Sequence, residues 1–253
     1  LRVGVALSTL WAAVRSLGCT FKKRPPAAGR DRPDVRAARD AWRDGVAPAL
    51  DPARVVFVDE TAANTTMDRR YGYAPRGEPV VGSAPHRHYE SLTVTAALRA
   101  DGLGATQGLD GPMTGARFRV YVTDVLVPAL RPGGTVVLDN LPCHKSAAIR
   151  SAVEAAGCRL VYLPPYSPDL NPIELALARL ERLLRSDGHR AVPTLVTFLG
   201  SVATAFRRDE CAAYIRHAGT GSPRLHRHRT NTNSQTPWGQ SCCVLFRIRV
   251  VES

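Results

Sequence analysis

Residues 135–174 read TVVLDNLPCHKSAAIRSAVEAAGCRLVYLPPYSPDLNPIE, and the reading of this stretch decides the fold. Thr135-Val-Val-Leu138 is a short β-branched run without a polar break, the pattern of a buried strand, and it stops at Asp139. Ser146 to Ala156 has helical spacing, and Arg159 to Leu163 reads as another strand. The proline-rich loop 164–171 then opens a helix from Pro172 to about Arg185, with Glu174 in its first turn. Strands mixed with long helices indicate an α/β domain.

Upstream, the same pattern recurs. Val55-Val-Phe-Val58 is a buried-strand signal that stops at Asp59-Glu60, and Ser91 to Leu98 alternates as a further strand. Ala116 to Leu130 is predicted helical, with Phe118, Val122, Val125 and Leu126 on one face, and a last helix is expected over Thr194 to Arg207. The N-terminal 50 residues differ. A helix capped by Ser8 or Thr9 runs through Leu10, Val14 and Leu17 to Gly18, and a basic, proline-stopped connector, Phe21-Lys-Lys-Arg-Pro-Pro, follows. Asp34, Arg36, Asp40 and Arg43 then line up on a short polar helix over Pro33 to Arg43. This leading stretch has too little apolar surface to fold alone and reads as the end of a small helical domain. The expected organisation is therefore a helical remnant over 1–20, a basic linker with a short helix over 21–50, an α/β domain over 51–219 and an atypical tail over 220–253. In the tail, Arg, His, Thr, Asn and Ser dominate up to Gln240, and the apolar run Cys242 to Val251 has no periodic partner. A shifted reading frame, or a chance extension after a disrupted stop codon, is the expected origin.

Composition narrows the function. The chain of 253 residues is 44% hydrophobic and 6% aromatic, which suits a globular protein, and no apolar run is long enough to cross a bilayer. Six cysteines occur without a CxxC pair, which speaks against a zinc site or a disulfide framework and for reduced thiols in a cytoplasmic protein. The net charge of +12 is uneven: residues 1–50 carry +6, residues 220–253 carry +4, and the middle only +2. Basic flanks around a near-neutral centre suit a protein whose ends grip a polyanion while its centre does chemistry.

The candidate chemistry lies in three acids. Two strands end in Asp59 and Asp139, and strand C-terminal ends are where functional groups of open α/β sheets gather. Glu174 starts the helix that follows the next strand. Three carboxylates converging on one cleft repel each other, and divalent cations relieve that repulsion; hard oxygen ligands favour two Mg²⁺ or Mn²⁺ ions. Two ions about 4 Å apart stabilise the attacking and leaving oxygens of an in-line phosphoryl displacement. Each acid also has a plainer role. Strand-end aspartates cap turns, Glu60 competes with Asp59 for the first position, and Asn171-Pro172-Ile173-Glu174 fits a capping box. Asp59 is preferred because it follows the strand directly. A thiol nucleophile at Cys143, beside His144, is discounted, since neighbours on a loop rarely face each other.

The segments Val56-Phe-Val-Asp-Glu-Thr61, Val137-Leu-Asp-Asn-Leu-Pro-Cys-His-Lys145 and Leu163-Pro-Pro-Tyr-Ser-Pro-Asp-Leu-Asn-Pro-Ile-Glu174 resemble the three acidic blocks of DDE transposases. Within them the likeness is to the mariner-like superfamily and its bacterial "six-thirty" insertion-sequence group, including the thirty-four residues between Asp139 and Glu174. Ala74-Pro-Arg-Gly77, Glu210-Cys-Ala-Ala-Tyr214 and His217-Ala-Gly219 also resemble this group, so the likeness runs from about Leu10 to Gly219. It implies an RNase H-like mixed sheet flanked by helices and preceded by the closing part of a helix-turn-helix domain. It further implies Asp59, Asp139 and Glu174 as catalytic metal ligands, with Glu60, Asn140 and His144 around them. The partners it implies are double-stranded DNA, in the form of transposon ends and target, and a second copy of the chain in a homodimer. No membrane is involved, and the expected location is the bacterial cytoplasm, at the nucleoid. Lys22, Lys23, Arg24, Arg76 and Lys145 are the expected phosphate contacts. The sequence departs from the group at Leu177 and Glu181, where an aromatic residue and a lysine are usual, and at Pro142 and Cys143, where glycine and serine are usual. Two alternatives stay open: a DNA-binding remnant without activity, and an RNase H-like nuclease that only hydrolyses.

Overall fold

The computed structural model describes residues 7–16, 28–64, 67, 91–187 and 192–221. Helix α1 (Leu7–Ser16) shows only exposed residues where its side chains are described; Trp11 is 60% exposed, and Arg15 lies over its ring. Helix α2 (Pro33–Ala41) starts on a proline, whose fixed φ suits a first helical turn. It continues through a π-helical turn (Trp42–Val46) into α3 (Ala47–Ala49). The sequence predicts a polar surface helix here. Instead Val35, Trp42, Ala47 and Leu50 are buried, so this stretch is sealed onto the domain that follows.

The sheet has five strands in the order β3-β2-β1-β4-β5: β1 (Val55–Asn64), β2 (Ser91–Arg99), β3 (Gly102–Asp110), β4 (Thr135–Leu138) and β5 (Arg159–Tyr162). The first three form an antiparallel meander, and β4 and β5 add parallel to β1. Gly102-Leu-Gly-Ala-Thr-Gln-Gly-Leu-Asp110 carries three glycines and no β-branched run, which is why its sequence hides the strand. Between β3 and β4 run α4 (Gly115–Tyr121), a π-helical turn (Val122–Leu126) and α5 (Val127–Ala129); α6 (Ala147–Ala155) joins β4 to β5. Thr114 caps α4 and Ser146 caps α6 through their side-chain oxygens. After β5 come α7 (Ile173–Asp187), α8 (Val192–Val202) and α9 (Arg208–His217), so the chain has a further helix beyond the last one that its periodicity predicts.

Two apolar cores lie on opposite faces of the sheet. Val55, Phe57 and Val137 meet Ile173, Leu177, Leu180 and Leu184 of α7, with Leu195, Leu199 and Ile215 behind them. Val56, Val58, Val136 and Leu138 meet Phe118, Tyr121, Ile149 and Val153 on the other side. Alternate residues of β1 and β4 thus serve alternate layers, as strand geometry demands. The architecture is a mixed α/β, RNase H-like sheet flanked by helices. Among the described residues, no helix is long and apolar enough to cross a membrane.

Candidate metal centre and active site

Strand alternation sets Asp59 and Glu60 on opposite faces of the sheet. Counting on by twos, Asp59 follows Val55 and Phe57 onto the α7 side, and Glu60 follows Val56 and Val58 onto the α4 side. The hydrogen bonds agree. Asn171 Nδ2, just ahead of α7, donates to Asp59 Oδ2 at 2.9 Å. Glu60 Oε1 lies 3.1 Å from His144 Nε2, and that imidazole packs on Phe118 of α4 with ring centroids 4.0 Å apart. The strand does not stop at the acids, as the sequence suggests, but runs on to Asn64, because residues 57–64 pair with β2.

The parallel pairing of β1 with β4 sets Phe57 opposite Val137. Two residues further along each chain stand Asp59 and Asp139. Glu174 arrives from the first turn of α7, and the three acids line one cavity of about 600 Å³ together with Asn140, Lys145 and Arg32. Their charges act on one another. Burial pushes the Asp59 carboxyl up to about 7, with the backbone N–H of Glu60 opposing and the charges of Glu174, Glu60 and Asp139 adding to the rise. Glu174 is raised by desolvation and by the charges of Glu181 and Asp139.

Asp139 has a cationic neighbour. His144 is 1% exposed, its Nδ1 is bonded to Asp139 Oδ1, and Asp139 Oδ1 also accepts from the Leu141 N–H at 3.1 Å. Burial pulls this imidazole down, but hydrogen bonds to Asp139 and Glu60 and the charges of both outweigh it and push it up to about 9. Burial and the charges of Glu60 and Asp139 also raise the Cys143 thiol, which disfavours the thiolate a nucleophile would need.

Asn171 departs from its expected role. Its side chain does not cap α7: the Glu174 N–H bonds the Asn171 backbone carbonyl at 3.2 Å, while Asn171 Oδ1 is buried without a partner. The amide is spent on Asp59 instead. As they stand, no three His, Cys, Asp or Glu side chains among the described residues are drawn close enough to hold an ion. The donor chemistry nevertheless fits a hard divalent cation: three carboxylates on one cavity, two of them with raised pKa values, beside an orphaned amide oxygen. Of the expected phosphate contacts, Lys145 is exposed on the cavity wall, whereas Lys22, Lys23, Arg24 and Arg76 lie outside the described residues, as does the tail beyond Gly221. Arg32 was not expected at the cavity; it carries no motif, and only its place ahead of Pro33 brings it there.

A meander of three strands extended by two parallel ones, with acids on the first strand, after the fourth and on a following helix, is an RNase H-like arrangement. The description "DDE superfamily endonuclease" matches residues 54–196, more than half of the chain, and the protein belongs to that family. No curated protein matches the sequence. Among solved structures, the mariner Mos1 paired-end complex with Mg is 18% identical with a TM-score of 0.67, covering 85% of this chain and 68% of that one. The Mos1 strand transfer complex is 18% identical with a TM-score of 0.65, covering 85% and 67%. The Mos1 catalytic domain alone is 14% identical with a TM-score of 0.57, covering 79% and 93%. At these identities the likeness is one of fold.

Proposed function

We propose that this protein is a transposase that cuts DNA at transposon ends and transfers the freed 3′-hydroxyl into target DNA, typically at TA sites, with Asp59, Asp139 and Glu174 holding two Mg²⁺ or Mn²⁺ ions. The observation that carries the reading is the meeting of three acids from distant segments on one cavity. Solved complexes of the Mos1 fold with transposon ends, Mg and Mn support it. When bound, the ions would activate the attacking oxygen and stabilise the leaving one. The chain's own residues do the rest. Asn171 fixes the orientation of the Asp59 carboxylate through its N–H, and His144 fixes Asp139 from the other side. Lys145 and Arg32 give the cavity rim a positive charge for phosphates, and the net +12 extends that attraction over the molecule. Strand transfer needs two ends together, so the working assembly is a homodimer on DNA at the bacterial nucleoid.

Incubating pre-cut transposon ends with a plasmid and Mg²⁺ tests the reading. Joined products are expected from the parent and none from Asp139→Asn, whose DNA affinity should be unchanged or improved because a negative charge is lost. Cutting without joining would identify a hydrolytic nuclease, and DNA binding with neither reaction a non-catalytic remnant. Equal joining by Asp139→Asn and parent would overturn the assignment.

A further inference from the structure

The loop that brings Glu174 to the cavity is clamped from outside the family's matched region. The clamp is Arg39 of α2, ahead of residue 54 where that match begins. Val35, Arg39 and Trp42 share one helical face at i, i+4 and i+7, and all three are 3% exposed. A guanidinium so deeply buried is tolerable only when its donors are met by acceptors. Arg39 Nη1 donates to the Tyr166 carbonyl at 3.2 Å, to Ser167 Oγ at 2.7 Å and to Asp169 Oδ1 at 3.0 Å. Its Nη2 donates to Asp169 Oδ2 at 2.7 Å, completing the bidentate fork that suits arginine and not lysine.

Other contacts tie the same two segments. Arg30 Nη2 donates to Asp169 Oδ2 at 2.8 Å. Gly29 lies so close to the Tyr166 ring that a Cβ there would stand 2.8 Å from it. Tyr166 itself has φ +53°, a left-handed backbone that a non-glycine residue adopts only when its surroundings hold it there, and its carbonyl is one that Arg39 holds. Burial alone would raise the Asp169 carboxyl, yet the hydrogen bonds and charge of Arg39, with the charge of Arg30, bring it below its ordinary range. From Asp169 the chain needs only two residues to reach Asn171, whose amide grips Asp59, and three more to reach Glu174.

We infer that Arg39 is a positioning residue of the acidic centre: its buried fork on Asp169 fixes the loop 164–171, and that loop sets Asn171 against Asp59 and aims Glu174 into the cavity. Residues 28–50 are then part of the active site and not a tether ahead of it. This inference rests on the metal-centre reading, and its test is arranged to separate the two.

Mn²⁺ binding to the full chain, followed by the electron paramagnetic resonance signal of free Mn²⁺, reads the effect without any turnover. Asp169→Asn, of the same shape and with one acceptor oxygen kept for Arg39, is expected to weaken Mn²⁺ about 10-fold. Its melting temperature should fall because a buried guanidinium loses its counter-charge, while far-ultraviolet circular dichroism and DNA affinity stay near those of the parent. Arg39→Met should weaken it at least as much, and Arg39→Lys, with the charge but not the fork, should fall between. In single-turnover cleavage the loss should appear in the rate and not in the DNA concentration that half-saturates it. Parent-like Mn²⁺ affinity in Asp169→Asn overturns the positioning role, whether or not Arg39→Met folds. Parent-like affinity in Asp59→Asn instead sinks the metal-centre reading itself, whatever the Arg39 and Asp169 variants do.

Discussion

Asp59 and Glu60 are neighbours in sequence whose side chains serve opposite faces of the sheet. On the α7 side of β1, Asp59 opens onto the cavity it shares with Asp139 and Glu174, and burial, with the charges of those acids adding, raises its pKa to about 7. On the α4 side, Glu60 meets a buried imidazole held near 9 and closed over by Phe118. One side carries three acids around an open cavity, and the other packs its acid against a buried imidazole. Strand alternation separates these adjacent carboxylates onto opposite faces, one opening onto the acidic cavity and the other turned to His144. Asp139 joins the two, since it lines the cavity and is bonded to His144.

The sharpest way to break this contrast is to neutralise the two acids in turn. Asp59→Asn should lower single-turnover DNA cleavage by about 10³-fold, the scale expected for losing a principal electrostatic element of an active site. The same chemical change one residue on, Glu60→Gln, should cost only about 10-fold, as for a group acting through a ligand's support. Equal losses would erase the distinction between the two faces. The closed side can be tested by stability. His144→Gln leaves Glu60 and Asp139 without their buried cation, and urea unfolding should show a loss of about 3 kcal/mol; no measurable loss would mean that the imidazole is not the bridge.

Acid–base linkage distinguishes the sides in a single experiment. Native Asp59 keeps its proton up to about 7, whereas the unfolded group loses it near 3.8, so the native state carries the extra proton in between and stability falls as pH rises through that interval. Native His144 keeps its proton up to about 9 against 6.5 when unfolded, so its contribution is complete below 6.5 and is lost as pH rises towards 9. The metal-free melting temperature should therefore drop in two legs. Saturating Mg²⁺ should flatten the lower leg, to which Asp59 and the raised Glu174 both contribute, and leave the upper one. A melting temperature that rises across either interval would contradict the assignment. The smallest effect is expected at Glu181, which accepts from Thr61 Oγ1 at 2.7 Å and adds to the rise at Glu174. Glu181→Gln keeps a hydrogen-bond acceptor for Thr61 but removes a charge that repels phosphates, so DNA affinity should tighten a few-fold; unchanged binding would place Glu181 away from the DNA path.

Much of the fold was legible because its decisive signals are local. Val55-Val-Phe-Val58 and Thr135-Val-Val-Leu138 declare buried strands, and the acids that follow them do line one cavity. What escaped was whatever depends on a distant partner. Gly102 to Asp110 becomes a strand by pairing with β2, against its own composition. Asn171 has the sequence of a cap, but its side chain goes to a carboxylate 112 positions away. Arg39 draws no reading from the sequence, because its partner Asp169 stands 130 positions on. The spacing Val35, Arg39, Trp42 carried the clue that this arginine faces inward.

The central claim is that side chains 59, 139 and 174 share divalent metal, and a Mn²⁺-soaked crystal examined by anomalous scattering tests it most directly. The account predicts Mn²⁺ density inside the cavity, with carboxylate oxygens of Asp59, Asp139 and Glu174 at about 2.0–2.2 Å from the ions, octahedral geometry completed by water. Ions bound elsewhere on the protein while those three carboxylates stay apart would contradict it.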